Sequence, residues 1–226
     1  MSAAISFRDV VPPPPREGWP GPISLEIPEG SFALFATTPA ISLGLIRLIV
    51  GLREPADGVV TVLGLRPGGL NRWDTQQFRR RLGGGFDEPS GLVSNLTLRM
   101  NMVVPMLYSG LANMGDAQRR TAEILEECGL QRWAERRPAD VPPDIRREAV
   151  IARAAVREPE VLVLEEPVLG LRGARAGWLL SMCRERARTI VVTTTEREGV
   201  QFELADSVIL LDDAGMEVTG HEVGVV

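Results

Sequence analysis

Residues 158–171 read EPEVLVLEEPVLGL. Val161 to Leu164 are four apolar residues without alternation. A strand here is therefore covered on both faces, the condition of a parallel sheet lying between helices. Glu165 and Glu166 end it, at the side where ligands of open α/β sheets bind.

Toward the C-terminus, strands are expected at Thr189–Thr193 and Ser207–Leu211, separated by helices over Arg175–Arg188 and Glu198–Leu204. Toward the N-terminus, Ser31–Ala36 is a short buried strand followed by a helix over Ile41–Val50. Gly51 ends that helix, and Gly58–Leu63 returns as a strand. Ala4–Val11 and Ile23–Ile27 read as an antiparallel pair. They are joined through Pro12 to Pro15, four prolines that hold polyproline II geometry and act as a stiff spacer. Trp73–Leu82 reads as an arginine-rich helix. The block from about 97 to 157 is helical, with amphipathic segments at Leu98–Tyr108 and Asp116–Cys128. The expected architecture is α/β, a mostly parallel sheet core with an N-terminal antiparallel β subdomain and a helical lobe. In this single domain, residues 1–86 and 158–226 form the core and about 87–157 the lobe.

Composition narrows the functional classes. The 226 residues carry a net charge of −5, and all 25 basic residues are arginine. Doublets such as Arg119-Arg120, Arg136-Arg137 and Arg146-Arg147 alternate with Asp and Glu, the pattern of solvated helix faces. Nucleic acid is not an expected partner. Cys128 and Cys183 belong to no CxxC or Cys/His cluster, so inert thiols in a reducing compartment are expected, and no metal site. MSAAISFRDV has neither a basic nor an apolar targeting region, and Arg47 interrupts the longest apolar run, Ala40–Leu52. Nothing here is expected to span a membrane.

Five blocks in order are IPEGSFALF, LGLIRLIVGLREPADGVVTVLG, FRRRLGGGFDEPSGLVSNLT, IARAAVREPEVLVLEEPVLGL and ELADSVILLDD. Over nearly the whole chain they resemble the nucleotide-binding subunit of an ABC transporter. LVSNLT with its following helix is also similar to subunits of bacterial lipid-transporting ABC systems of the MCE-associated type. The resemblance implies a P-loop-NTPase-like ABC ATPase fold. It implies a cytoplasmic subunit held on the inner face of the membrane by an integral-membrane permease, and a dimer with itself or another ABC ATPase.

The nucleotide contacts that the resemblance implies are altered block by block. A P-loop aims backbone N–H groups at phosphate oxygens, with a lysine and a helix N-terminus adding positive charge. The matching positions here are Ala36 to Gly44. Thr38, Pro39, Ala40 and Ile41 fill the loop, Ser42 stands for the lysine, and Leu43 for the magnesium-binding hydroxyl. Pro39 lacks a donor altogether. Hydrogen bonds to charged groups contribute about 1.5–3 kcal/mol each, so losing the lysine and two donors removes roughly 5–9 kcal/mol. Micromolar binding amounts to about 8 kcal/mol.

The remaining contacts follow suit. Asp87 takes the place of the glutamine that senses the γ phosphate, and Val141-Pro142-Pro143-Asp144-Ile145 that of the LSGGQ signature. Arg172 replaces the aspartate that crosses the dimer, and Thr195 or Glu196 the switch histidine; the single histidine, His221, lies near the C-terminus. The adenine-stacking aromatic falls in the proline run, with Trp19 a late substitute. Glu165 and Glu166 correspond to carboxylates that hold a magnesium-bound water and polarise the attacking water, and are read here as a structural remnant.

The expectation is a pseudo-ATPase that docks on a permease without productive hydrolysis, with neither ATP nor magnesium as a cofactor. Docking is assigned to Pro89, Ser90, Leu92, Val93, Asn95 and Leu98. Two alternatives stay open. One is an active but divergent ABC ATPase energising lipid transport, with ATP and magnesium bound and Arg47 supplying the missing charge. The other is a regulatory binding module that uses the vacated cleft.

Overall fold

The computed structural model describes residues 2–86, 91–171 and 174–220. From the N-terminus, β1 (Ala3–Val11) and β2 (Ile23–Pro28) lead to β3 (Phe32–Thr37), helix α1 (Pro39–Ile49) and β4 (Asp57–Val62). Helix α2 (Arg72–Arg81) runs straight into β5 (Leu82–Gly85). Helices α3 (Leu98–Tyr108), α4 (Met114–Glu127) and α5 (Pro143–Ala155) follow. The chain then continues through β6 (Val161–Glu165), α6 (Ala174–Arg186), β7 (Thr189–Thr194), α7 (Val200–Leu204), β8 (Ser207–Asp212) and β9 (Gly215–Gly220).

The strands form two sheets. One is antiparallel, in the order β2-β1-β4; the other runs β5-β6-β7-β3-β8-β9. Every pairing in the second is parallel except the hairpin of β8 with β9. Successive side chains of a strand point to opposite faces, and the large sheet uses both. Phe32, Leu34, Leu162 and Leu164 join one apolar cluster with Met102, Ile124, Ile151 and Leu179 of the helices α3 to α6. Ala33, Phe35, Val161 and Val163 join a second with Leu45 of α1, Phe78 of α2 and Phe7 and Leu25 of the antiparallel sheet. Helices and a second sheet thus cover the two faces, as uninterrupted apolar strands require.

Helix α1 begins two residues before the expected Ile41. Strand β5 has no apolar period to announce it; Leu82 opens a strand rather than closing a helix. Its glycines serve close approach. A Cβ on Gly83 would lie 2.7 Å from the Ala154 carbonyl oxygen, and one on Gly85 2.8 Å from Leu164 Cδ2. Residues with side chains would push α5 off the sheet. Among the described residues, no helix is long and apolar enough to cross a membrane.

Candidate functional site

The C-terminal ends of β3, β6 and β7, neighbours in the parallel sheet, gather the residues singled out by the sequence. Thr37 closes β3 by donating its hydroxyl to the Leu211 carbonyl at 2.6 Å. A single residue, Thr38, then separates strand from helix. Its backbone is extended, with φ −84° and ψ 159°, and its Oγ1 accepts the Ile41 N–H at 3.4 Å. Its carbonyl accepts the Ser42 N–H at 2.9 Å. Threonine at the N-cap and proline at the first helical position are strong helix-start signals. Together they convert the expected phosphate loop into the opening turn of α1. Pro39 has no N–H, so Ala40 is the one first-turn donor without a hydrogen-bond partner among the described residues.

Ile41 packs into the core and Leu43 is exposed. Ser42 is 4% exposed and turns inward. Its hydroxyl lies 2.7 Å from Thr193 Oγ1 and 3.5 Å from Glu165 Oε1. The position of the expected lysine is therefore a buried polar contact between α1, β6 and β7.

Glu166 has φ +44°, the left-handed region that non-glycine residues seldom occupy. Its N–H donates to the Thr193 carbonyl at 2.9 Å. Its carboxylate accepts the Thr194 hydroxyl at 3.0 Å and the Thr195 backbone N–H at 2.5 Å. Hydrogen bonds to a charged acceptor are about twice as strong as neutral ones, and these offset the backbone strain. Glu166 thus straps β6 to the end of β7. The run Thr193-Thr194-Thr195 was legible only as the end of a strand, and it supplies the partners for the Glu166 carboxylate and for Ser42. At the switch position, Thr195 is held by Glu166, and Glu196 Oε2 accepts Gln201 Nε2 at 2.8 Å.

Val141 is buried, and Pro142 and Pro143 occupy the N-cap and first position of α5 without a side-chain cap. That is the part of a helix where missing donors cost least. Asp144 in the first turn complements the helix dipole. The helix start therefore lacks the N–H groups of Pro142 and Pro143 and adds a negative charge beside those of Asp144 and Ile145. Arg147 of α5 donates to the Leu169 carbonyl, tying this helix to the segment after β6.

Of the docking residues, Leu92 and Leu98 are buried in the core, which withdraws them from a partner surface; Val93 and Asn95 are exposed. The buried Asn101, unread in the sequence, pins this segment. It accepts the Val93 N–H at 2.6 Å and donates to the carbonyls of Val93, Leu96 and Thr97 at 3.0–3.2 Å. Asp87, Pro89, Ser90, Arg172 and His221 lie outside the described residues. Beside α1 lies a cavity of about 380 Å³, lined by the proline run, Trp19, Leu43, Arg47 and Arg53.

A family model described as ABC transporter matches residues 44–169. The methionine import ATP-binding protein MetN of Caulobacter vibrioides is 32% identical over 215 residues, covering 92% of this chain and 64% of that protein. MetN 2 of Paraburkholderia xenovorans is 27% identical over 202 residues, 88% of this chain and 52% of its own length. The chain thus spans between about half and two thirds of these relatives. Among solved structures, the ATP-binding cassette MJ0796 in a dimeric post-hydrolysis state bound to ADP and Pi superposes with a TM-score of 0.80 at 19% identity, covering 96% of this chain and 98% of that one. CbiO1 of Clostridium perfringens, from the cbiONQ transporter complex, gives 0.78 at 17% identity, covering 100% and 89%. These last two show the ABC ATPase fold.

The expectation of a chain without cofactor is corrected by these matches, because ATP with magnesium is the cofactor of this family. The expectation counts only donors at the strand–helix turn and leaves Arg47, which lines the cavity beside it together with Arg53, to the active alternative. Positions 38–43 themselves do not fit a triphosphate as a glycine loop does. They offer one unpartnered helix-start donor, a proline, and a serine turned inward where a cation is needed. With a family model over more than half its length and a relative 32% identical along nearly all of it, the chain belongs to the ABC transporter family, among its ATP-binding subunits.

Proposed function

We propose that this chain is the cassette subunit of a membrane transporter, seated on an integral-membrane permease from the cytoplasmic side and paired with a second cassette, and that it supports the complex without productive ATP hydrolysis. One observation carries the reading. The residues at the lysine and catalytic-glutamate positions, Ser42 and Glu166, are both committed to the end of β7, through Thr193 and through Thr194 and Thr195. Side chains engaged in holding the sheet together are not poised for proton or phosphoryl transfer. The test separates binding from turnover: fluorescent-nucleotide titration and phosphate release, each with and without the reconstituted permease. Binding without sustained release agrees with the proposal. Release that the permease accelerates and Glu166→Gln abolishes overturns it.

A second reading, a divergent but active cassette, is favoured by the cavity beside α1, where Arg47 and Arg53 could face the phosphates that the turn cannot hold. It requires that Arg47→Ala weaken nucleotide binding at least tenfold and lower the release rate. Two cargoes are suggested, a lipid by the likeness of residues 92–97 and methionine by the names of the relatives. Uptake and extraction assays with labelled methionine and labelled phospholipid in the same vesicles decide between them.

A further inference from the structure

Residues 12–20, between β1 and β2, form a strap along the outer face of α1. Within it, Arg16 Nε donates to the Pro12 carbonyl at 3.0 Å and the Trp19 N–H to the Arg16 carbonyl at 3.1 Å. Among the described residues, no hydrogen bond or ion pair ties residues 12–20 to α1. The strap is held by contact alone. A Cβ on Gly18 would lie 3.6 Å from Thr38 Oγ1 and from Ile41 Cδ1, and one on Gly44 3.8 Å from Trp19 Cζ3. The strap therefore rests against Thr38 and Ile41, and the indole ring lies on α1 at Gly44. These positions belong to the stretch Ala36 to Gly44 that matches a phosphate loop. Space filled by the strap and its ring is closed to an arriving nucleotide. The cavity of about 380 Å³, with Arg47 and Arg53 on its wall, is lined by the strap as well as by α1.

The strap is also built to swing. Gly18 and Gly21 flank Trp19-Pro20 at φ +71° and +135°, angles open to glycine and seldom to other residues. Nothing lies within 4 Å of where a Cβ on Gly21 would stand, so the backbone angle, not crowding, calls for glycine there. A few such positions absorb the rotation of a hinge, and the proline run makes the segment before them move as one stiff piece. Trp19 Nε1 is buried without an acceptor. Buried donors are normally paired, and this one regains a partner when the ring turns out into water. Apolar contact holds the strap down and the orphan donor opposes it, a balance that a ligand preferring the open form can tip.

We infer that residues 12–20 are an autoinhibitory strap: closed, with Trp19 on Gly44, they obstruct the turn where α1 begins, and nucleotide enters only when the strap swings away. Trp19 is then the opposite of a stacking platform for a base. Apparent affinity is reduced by the fraction of molecules whose strap is open. The inference concerns the entry of nucleotide and is independent of whether ATP turns over.

The probe is N-methylanthraniloyl-ATP with magnesium, titrated by its fluorescence against the full chain. Trp19→Ala removes the ring that lies on Gly44. Pro13→Gly/Pro14→Gly loosens the strap and leaves Gly18, Trp19 and α1 unchanged. Both variants should bind the probe at least tenfold more tightly than the wild type, while Trp19→Phe, which keeps a ring, should stay near the wild type. Circular dichroism melts check the fold, and the proline variant carries the test if Trp19→Ala unfolds. A stacking platform predicts the opposite sign, so weaker binding by Trp19→Ala overturns the inference. Equal affinity in the wild type and both variants does the same. So does an absence of binding in all three, since opening the strap would then uncover no site. The titration reads binding alone; phosphate release that the permease accelerates would end the pseudo-ATPase reading and leave this one standing.

Discussion

The Ser42 hydroxyl lies 2.7 Å from that of Thr193, and this contact joins α1 to β7 where a cassette of ordinary sequence would extend a lysine toward phosphate. Replacing the serine therefore tests both packing and chemistry. Ser42→Lys must place a long cationic side chain in a buried site, and overpacking of this kind costs about 1–3 kcal/mol. Urea unfolding should show that loss, and phosphate release should not rise, since Pro39 and the one-residue turn persist. A gain in turnover would mean that the site lacks only charge.

Glu166→Gln keeps the shape of the side chain and removes its charge. The bonds from Thr194 and Thr195 then become neutral ones, a change of about 1 kcal/mol. The expected outcome is a modest fall in stability with no change in nucleotide turnover. A structural strap and a catalytic base differ here, because loss of the base would abolish release while leaving the unfolding midpoint nearly unchanged.

Arg175 of α6 donates to both carboxylate oxygens of Glu148 on α5, at 2.8 and 2.5 Å, and to the Cys128 carbonyl at 2.7 Å. Its guanidinium also lies 4.5 Å from the Trp178 ring centroid. Glu148 is 5% exposed, so Arg175→Met leaves a buried charge without its partner. Breaking a fully buried pair costs about 3–5 kcal/mol and an exposed one about 1 kcal/mol or less. This half-exposed arginine should fall near about 2 kcal/mol, measurable by denaturant melts, with Glu148→Gln in the same background recovering part of it.

Arg81 donates to Glu160 at 2.5 and 2.8 Å, and this hydrogen bond holds the Glu160 carboxyl below its usual range. A carboxylate with a depressed folded pKa contributes stability above its unfolded value, about 4.3 for glutamate. That contribution fades as pH falls through the lower folded value. Melting temperatures of wild type and Glu160→Gln should therefore differ most near neutrality and converge below about pH 4. A difference that grows on acidification would contradict the sign.

Uninterrupted apolar runs make most of the sheet readable in the sequence. Val161–Leu164 and Thr189–Thr193 could not be solvated on either face, and each is a central strand. Strand β5 was unreadable for the converse reason: three glycines carry no pattern, and their role is the space they leave for Ala154 and Leu164. Gly83→Ala should accordingly cost about 1–3 kcal/mol, as thermal unfolding can check. Strand β9 alternates weakly because it pairs on one side only, with β8.

At the site, the absence of a lysine and the presence of Pro39 were evident from the letters. Where Ser42 and Glu166 direct their polar groups was not. That depends on Thr193 to Thr195, which lie 151 and 28 positions away in the two side-chain contacts that fix them. Two of the residues assigned to docking were equally hard to place from the letters. Leu92 and Leu98, assigned to docking through the resemblance, are interior, and the Asn101 amide fixes the loop beside them.

The passage from β3 to α1 through Thr38 alone removes slack from the machine. A connection of several residues can fold over an arriving molecule and spring back; one of a single residue obliges strand and helix to travel as one rigid lever. Under the function proposed above, such a subunit would serve as a fixed strut against which its neighbours work.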